Sequence, residues 1–333
     1  MFRADNISFP LPRFIQFYPT FRCNQKCSFC FNDSSQSSEI SFDNALRLLR
    51  ILSENGIEEL DVMGGEPLLL DWMPDFVGAA LRNGLSVNLS TNGSVPDITG
   101  RFLDFSGRDF TIGLSLEGST GERHRTLTRA GHFSGVLRNI TELLSAGFNP
   151  VVKTVVNRET MADIQDIVDL LKEIGVRRYY LLHMDLLSGT DSSQSSALSY
   201  PAFLSFYEKI RDVNPEMSIL KVNASCFEKN TLPSGVRCAA GVKKAAVMPD
   251  GSVYPCNLFH HIEEFNLGNM FRDNLAVIWG SPKLDVFRRA AANSCTLPDC
   301  ANRAFCTGGC PAHGYFHYGR TDSVDVRCAA GTR

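Results

Sequence analysis

Residues 23–30 read Cys23-Asn24-Gln25-Lys26-Cys27-Ser28-Phe29-Cys30, with three and then two residues between successive cysteines. Three thiolates at this spacing reach three corners of one small metal cluster. A structural zinc site or a closed iron–sulfur cluster needs four ligands, and the next cysteine in the chain is Cys226. The stretch is therefore typical of an iron–sulfur cluster in which one iron stays open to bind a reacting molecule.

The cysteine loop follows a short run of β-prone residues, 13–18, which Pro19 ends. This run predicts a first strand, and α/β barrels place their chemistry at the C-terminal ends of such strands. Further strands are predicted at residues 57–63, 86–90, 110–116, 150–156 and 178–182, and helices near 41–55, 73–83, 133–146 and 161–174. Strands that alternate with helices indicate parallel βα units. We expect an incomplete, TIM-like (βα)6 barrel whose open side admits a large substrate such as a peptide.

The second predicted strand ends in Gly64-Gly65-Glu66-Pro67. Two glycines let the backbone approach a ligand closely, and a carboxylate at this point accepts hydrogen bonds from an ammonium group. The cysteine spacing followed by this turn resembles the radical S-adenosylmethionine (SAM) superfamily. In that family the open iron of a 4Fe–4S cluster chelates SAM, and one electron cleaves SAM to a 5′-deoxyadenosyl radical that abstracts hydrogen from the substrate. The resemblance implies that residues 64–67 bind the amino group of SAM.

Three further residues are assigned to SAM binding. Asn92 follows the third predicted strand, and Ser115 and Arg129 belong to a stretch that resembles a family motif. In relatives the serine and the arginine of that motif touch the ribose and the carboxylate of SAM. Glu117 stands where the family pattern has aspartate, and His124 is expected to be structural. The alternative interpretation is that Ser115 caps a helix and that Arg129 is a solvated side chain.

The composition is that of an ordinary globular protein, with 44% hydrophobic and 21% charged residues in 333. The formal net charge of −3 gives no reason to expect nucleic acid as a partner. The sequence has no secretion signal and no apolar run long enough to span a bilayer. We expect a soluble, cytoplasmic protein that has no membrane partner.

The eleven cysteines are unevenly distributed along the chain. Three lie in residues 23–30, none in 31–225, and eight from residue 226 onward. Because the cytoplasm keeps thiols reduced, metal ligation accounts for them better than disulfide bonds do. The distribution predicts a catalytic domain at residues 1–215 and a cysteine-rich domain at residues 216–333.

The C-terminal half begins with a predicted hairpin at residues 245–256, in which Asp250-Gly251 is a type I′ turn signal. Around this hairpin, the cysteine series resembles the seven-cysteine SPASM extension of the radical SAM superfamily. One departure is that four residues separate Cys295 from Cys300, where the family pattern has two. We expect a widened ligand loop there. The sequence Arg-Cys-Ala-Ala-Gly occurs at 237–241 and at 327–331, and small residues beside a thiolate let backbone N–H groups reach cluster sulfurs.

The SPASM resemblance implies two auxiliary 4Fe–4S clusters, and so three clusters in all. Carried over by position, the first would use Cys238, Cys256 and Cys310, and the second would use Cys295, Cys300, Cys306 and Cys328. The first set lacks a fourth ligand, and Cys226 is the cysteine left to supply it. Two alternatives for Cys226 remain: a buried thiol, or a catalytic donor of a hydrogen atom to a substrate radical, as in radical SAM peptide epimerases. A pair of zinc sites is the alternative for the whole extension.

These resemblances predict a radical SAM enzyme that acts on a ribosomally made peptide and cross-links it oxidatively through a thioether or a carbon–carbon bond. Reduced ferredoxin or flavodoxin is the implied electron donor. Only about a dozen residues precede the first predicted strand, so we expect a separate protein to supply any peptide-recognition domain.

Four alternatives remain at this point. They are peptide epimerisation with Cys226 as the hydrogen donor, radical oxidation or epimerisation of a sugar-like metabolite, sulfatase maturation, and a non-catalytic electron carrier. Asn257 disfavours sulfatase maturation, because those enzymes have an aspartate base after the hairpin cysteine and an amide is not a base at neutral pH. The Gly64–Pro67 turn disfavours the electron carrier, because a carrier needs no site for a substrate amine.

Overall fold

A ten-stranded sheet forms the centre of the computed structural model, which describes residues 9–32, 38–187, 196–228, 232, 236–288, 300, 306 and 308–328. The strands are β1 (Phe14–Phe17), β2 (Glu59–Val62), β3 (Ser86–Thr91), β4 (Phe110–Ser115), β5 (Val151–Val156), β6 (Arg178–His183), β7 (Ser218–Val222), β8 (Lys244–Val247), β9 (Ser252–Tyr254) and β10 (Gly268–Asn269). Their order across the sheet is β10-β9-β8-β1-β2-β3-β4-β5-β6-β7.

Strands β1 to β7 are parallel, and each pairs with the next along the chain. Their C-terminal ends therefore meet at one edge of the sheet, which is where the cysteine loop leaves β1. The six predicted strands are confirmed, and so is the fold class of an incomplete barrel, because β10 and β7 are the two ends of the described sheet. Strand β7 was not predicted, since its alternating exposed residues lack the apolar run that marks the buried strands.

Most of the helices fill the connections between the strands, and three follow the last strand. They are α1 (Phe42–Glu54), α2 (Met73–Arg82), α3 (Ile98–Phe102), α4 (Gly121–Thr128), α5 (Phe133–Ser145), α6 (Arg158–Met161), α7 (Ile164–Glu173), α8 (Tyr200–Val213), α9 (Leu275–Trp279), α10 (Asp285–Arg288) and α11 (Pro311–Tyr318). Helix α1 buries one stripe, Ala45, Leu48, Leu49 and Leu52, at the spacing that packs one helix face on a core. The Ser41 side chain caps α1 by accepting from the Asn44 N–H at 3.3 Å.

The hairpin predicted at 245–256 is confirmed, but its predicted type I′ turn is wrong. A type I′ turn needs positive φ at both central residues, and in this loop positive φ is found at Gly251 (84°) and not at Asp250. The Gly251 N–H donates to the Met248 carbonyl, and the Met248 N–H donates to the Ser252 carbonyl, both at 2.9 Å. This is a longer loop, in which a turn through Pro249 ends in a left-handed glycine.

The hairpin extends the sheet on the far side of β1. Strand β8 pairs in parallel with β1, with Ile15 opposite Ala245, and β9 and β10 follow in antiparallel order. One apolar core runs from Ile15 on β1 to Ala312 on α11. The sheet and the core therefore continue across the domain boundary predicted at residues 215/216, which stays a prediction. Among the described residues, every helix is too short or too polar to cross a bilayer.

Candidate active site and cluster-binding residues

The cysteine loop is held against the end of α4. The Lys26 N–H donates to the Thr128 carbonyl at 3.3 Å, and the Ser28 N–H donates to the Leu127 carbonyl at 2.9 Å. These bonds stop the loop from moving away from the sheet edge. They also draw Arg129, the residue after Thr128, to the same end of the structure.

The thiols of this loop fit a metal cluster, because the positive charge of the metal stabilises thiolates. Burial raises the pKa of the Cys23, Cys27 and Cys30 thiols, and for Cys27 the charges of Glu117 and the other two cysteines raise it further. Metal coordination deprotonates such thiols. The Gln25 Nε2 group is buried in the loop and has no hydrogen-bond acceptor among the described residues, and cluster sulfurs would provide one. The three thiols and this donor match the predicted 4Fe–4S cluster.

The turn at residues 64–67 packs directly on the backbone that leads into the cysteine loop. The Gly65 N–H donates to the Thr20 carbonyl at 2.9 Å, and the Glu66 N–H donates to the Arg22 carbonyl at 2.8 Å. A Cβ atom on Gly65 would lie 2.2 Å from the Arg22 carbonyl oxygen, and Gly64 has a φ of 127°. Both glycines are therefore required by the close contact between the two motifs.

The Glu66 carboxylate is fully buried beneath this turn. One oxygen accepts from the Leu68 N–H (2.9 Å) and the Thr91 hydroxyl (2.7 Å), and the other accepts from the Asn92 N–H (2.7 Å). Burial raises the pKa of Glu66, and the three hydrogen bonds oppose that shift. Because two carboxylate oxygens offer about four acceptor positions, one position remains for an ammonium group.

Asn92 links this carboxylate to the cysteine loop. Its Nδ2 group donates to Asn24 Oδ1 at 2.8 Å and lies 3.9 Å from Cys23 Sγ. Its Oδ1 atom accepts from the Ser94 N–H at 2.9 Å. The structure thus brings three predicted regions together: the cysteine loop, the Gly64–Pro67 turn and the end of β3.

Ser115 and Arg129 lie at the same sheet edge, but within the described part of the chain neither side chain hydrogen-bonds to Cys23, Cys27 or Cys30. Ser115 ends β4 and is half-buried, and Arg129 is exposed with a left-handed φ of 54° at the end of α4. Thr120, and not Ser115, caps α4, so the helix-cap interpretation of Ser115 is wrong. Their assignment to SAM stays a prediction.

One polar group inside the sheet, Lys153, was missed at the sequence level. Lys153 on β5 lies across Gly113, donates to Ser90 Oγ at 2.7 Å, and has its pKa lowered by burial, which the charge of Asp61 opposes. A lone lysine in the apolar strand VVKTVV was the available signal.

Glu117, two residues beyond the end of β4, is buried. It accepts from the Val155 N–H at 3.0 Å, and burial raises its pKa to about 8. The Glu117 N–H donates to His124 Nδ1 at 3.2 Å, and burial lowers the pKa of His124 to about 4. A neutral, hydrogen-bonded His124 agrees with the structural role expected for it.

Five C-terminal cysteines share one buried region. They are Cys226, Cys238, Cys256, Cys306 and Cys310. Burial raises the pKa of Cys226, and the charges of Cys310, Cys238 and Cys306 raise it further, so these thiols are neighbours. Cys300 and Cys328 are half-buried. Cys295 and the widened loop beside it lie outside the described residues, as do 329–331 of the second Arg-Cys-Ala-Ala-Gly.

Backbone donors and buried cations accompany these cysteines. The Ala240 N–H donates to Cys238 Sγ at 3.5 Å, as the small residues of the first repeat led us to expect. The arginines that begin the two repeats, Arg237 and Arg327, are both buried. Arg327 pairs with Asp325 (2.9 Å) and with Asp185 (2.9 Å), and Arg237 donates to the Ser323 carbonyl at 2.9 Å. Cations beside the thiolates would offset the negative charge of a bound cluster.

Two family models match the chain. The radical SAM superfamily model matches residues 17–171, and the SPASM model, an iron–sulfur cluster-binding domain, matches residues 238–306. The second match favours iron–sulfur clusters over the zinc alternative for the extension.

Three curated proteins are similar over most of the chain. The subtilosin biosynthesis protein AlbA of Bacillus subtilis is 25% identical and the alignment covers 91% of this chain and 68% of AlbA. The mycofactocin maturase MftC of Mycobacterium tuberculosis is 23% identical, with 94% and 81% covered. The PqqA peptide cyclase of Streptomyces rochei is 24% identical, with 93% and 87% covered.

Solved structures show the same fold. Streptococcus suis SuiB bound to S-adenosylmethionine has a TM-score of 0.82 at 18% identity, over 96% of this chain and 77% of SuiB. The anSMEcpe protein with bound AdoMet has a TM-score of 0.74 at 18% identity, over 96% and 95%. At this level of identity the likeness establishes the architecture and leaves the substrate to be argued separately.

Proposed function

We propose that this chain, which belongs to the radical SAM superfamily and carries a SPASM iron–sulfur cluster-binding domain, modifies a ribosomally synthesised peptide. The observation that carries this proposal is the contact between the cysteine loop and the Gly64–Pro67 turn, with the carboxylate of Glu66 beneath it. A cluster site and an amine site are built against each other there. An electron carrier has no use for that arrangement.

Each predicted ligand has a proposed part in holding the cofactors. Cys23, Cys27 and Cys30 would hold the SAM-binding cluster, and residues 64–67 with Asn92 would orient the amino group of SAM. Ser115 and Arg129 are proposed to contact its ribose and carboxylate. When bound, the reduced cluster supplies the electron that cleaves SAM to the radical that abstracts hydrogen from the substrate.

We assign the auxiliary ligands in two sets. Cys226, Cys238, Cys256 and Cys310 would hold the first cluster, and the second would be held by Cys295, Cys300, Cys306 and Cys328. The burial of Cys226 beside Cys238 and Cys310 supports its place in the first set. We keep residues 1–215 and 216–333 as the proposed domains.

The relatives support a peptide substrate. One is a peptide cyclase, one acts in the biosynthesis of a bacteriocin, and SuiB has been solved bound to a precursor peptide. We propose oxidative cross-linking, in which the peptide gains one bond and loses two hydrogen atoms. The 5′-deoxyadenosyl radical would take one of them, and the other would leave as a proton and an electron, with an auxiliary cluster as the electron acceptor. Because the reduction potentials of such clusters span roughly −700 to +450 mV and SAM cleavage needs the low end, reduced ferredoxin or flavodoxin is the proposed donor.

We propose that recognition of the peptide is shared with a separate protein, and that the enzyme works in the reducing cytoplasm. Sulfatase maturation is disfavoured by the position of Asn257. This residue follows Cys256, and its Nδ2 group donates to the Tyr18 hydroxyl at 3.0 Å. An amide held as a donor in that position does not remove a proton from a substrate.

The test uses anaerobically reconstituted protein with SAM, a reductant and the short peptides encoded beside its gene. Cross-linking predicts 5′-deoxyadenosine together with a peptide lighter by two hydrogen atoms, both measured by mass spectrometry. Peptide epimerisation, the second candidate, requires Cys226 to be a hydrogen donor and not a cluster ligand, and it would instead leave one deuterium in the peptide when the reaction runs in D2O. A fully loaded protein that never forms 5′-deoxyadenosine would overturn the proposal and revive the electron carrier.

A further inference from the structure

His313 lies in the first turn of α11, three residues after Cys310, and is completely buried. A ring nitrogen of His313, Cys310 Sγ and a carboxylate oxygen of Asp325 lie within 4.8 Å of one another. The predicted function gives His313 no role. Its surroundings nevertheless determine which of its two nitrogens carries the hydrogen.

The Nε2 atom of His313 accepts a hydrogen bond from the Leu186 N–H at 2.9 Å. A backbone amide is a donor only, so Nε2 must present a lone pair. The ring hydrogen is therefore on Nδ1. Asp185 Oδ1, at 3.4 Å from Nε2, does not change this assignment, because Nε2 has no hydrogen to give while it accepts from Leu186.

Among the residues that the structure describes, the Nδ1–H group has no hydrogen-bond acceptor. It faces Asp325 Oδ2, but at 3.8 Å, which is too long for a hydrogen bond. That oxygen already accepts from the Cys310 N–H at 3.1 Å and from Arg327 Nη2 at 2.9 Å. A buried donor without a partner is destabilising, so an acceptor is expected to occupy the space beside it.

A metal ion bound by Cys310, His313 and Asp325 does not fit this arrangement. Nδ1, the ring nitrogen that lies 3.8 Å from Asp325 Oδ2, carries a hydrogen and has no lone pair to offer. Both oxygens of Asp325 are occupied, since Oδ1 also accepts from the backbone N–H and the Nε group of Arg327 at 2.9 and 3.2 Å. His313 Nδ1 is therefore available as a hydrogen-bond donor and not as a metal ligand.

We propose that His313 Nδ1–H donates a hydrogen bond to a sulfur of the auxiliary cluster held at Cys310. This inference rests on the proposed role of Cys310 as a cluster ligand. A hydrogen bond to a cluster sulfur stabilises the more negative, reduced state, so His313 raises the reduction potential of that cluster. The hydrogen bond from the Leu186 N–H to Nε2 fixes the orientation of the ring, so that Nδ1–H stays on the opposite side.

Two substitutions test the roles of the two ring nitrogens of His313 one at a time. In His313→Gln the amide oxygen still reaches the Leu186 N–H, but the Nδ1 donor is lost. In His313→Asn the amide nitrogen takes the position of Nδ1, and the contact with Leu186 is lost. His317→Gln is the matched control, because His317 is on the same helix and its Nε2 bonds to the Leu186 carbonyl at 2.8 Å.

The readout is the midpoint potential of each cluster in the reconstituted protein, followed by electron paramagnetic resonance during a redox titration. The SAM-binding cluster is recognised by the change of its signal when SAM is added. We expect His313→Gln to lower the potential of one auxiliary cluster, and His313→Asn and His317→Gln to stay near wild type. Equal potentials in all four proteins would overturn the proposal.

If His313→Gln does not assemble its clusters, a second measurement on the wild-type protein tests the proposal. With ¹⁵N-labelled histidine, pulsed electron paramagnetic resonance of the reduced auxiliary cluster should show hyperfine coupling to a histidine nitrogen and to an exchangeable proton. A loaded auxiliary cluster without these couplings refutes the role of His313 alone. A wild-type protein that loads the SAM-binding cluster but no auxiliary cluster refutes the ligand assignment as well.

Discussion

Substitution of Gly65 by alanine should separate the two motifs that form the proposed SAM site. The added Cβ would lie 2.2 Å from the Arg22 carbonyl oxygen and 2.7 Å from the Phe21 carbonyl carbon, whereas real Cβ atoms essentially never come within 3.0 Å of another atom. Both neighbours are backbone atoms, so no side-chain rotation relieves the overlap. The turn must move away from the cysteine loop.

The cost follows from the contacts that this movement breaks. The Gly65–Thr20 and Glu66–Arg22 backbone bonds, at 2.9 and 2.8 Å, hold the turn to the loop. Losing two hydrogen bonds and straining the packing costs about 2–6 kcal/mol together. Part of that cost appears as a lower stability and part as weaker SAM binding, since each ~1.4 kcal/mol lost from binding lowers affinity tenfold.

The assay is equilibrium binding of SAM to anaerobically reconstituted protein, together with the midpoint of thermal unfolding. We expect at least a tenfold loss of affinity and a lower midpoint for Gly65→Ala. Gly135→Ala is the control, because Gly135 lies in α5 and no described atom outside its own stretch of helix backbone lies within 4 Å of the new Cβ. Alanine should stabilise that helix by up to about 1 kcal/mol. Wild-type affinity and stability in Gly65→Ala would refute the reasoning.

Three further outcomes are expected. Glu66→Gln replaces an acceptor by a donor that faces groups already donating, so SAM affinity should fall about 10- to 100-fold, or ~1.4–3 kcal/mol, with iron content unchanged. Burial lowers the pKa of His124 from 6.5 to about 4. Between these pH values, His124 is therefore protonated in the unfolded chain and neutral in the folded chain. As the pH is lowered from 6.5 to about 4, the free energy of unfolding of the wild type should therefore fall by up to about 3 kcal/mol more than that of His124→Gln. Denaturant titrations at each pH measure both. Cys226→Ala should lower iron from about twelve toward about eight per chain, and an unchanged iron content would make Cys226 available as a hydrogen donor.

Local patterns in the sequence were sufficient for most of the architecture. Apolar runs and helix caps such as Ser41 depend only on residues that are close in the sequence. These local signals were enough to locate six strands and the main helices. The loop at Asp250-Gly251 shows the limit of such signals, since Pro249 shifts the turn by one residue and changes its type. Strand β7 was missed because an edge strand needs no continuous apolar run.

The sequence by itself identified the cysteine spacing, the Gly64–Pro67 turn and the cysteine-rich extension, because each is a short motif whose chemistry depends on residue type and spacing. Only the tertiary structure brought the backbone of Gly65 against that of Arg22 and buried Cys226 beside Cys310. It also placed the hydrogen of His313 on Nδ1. These features depend on contacts between residues far apart in the chain, and such contacts are set by the packing of the whole sheet and core.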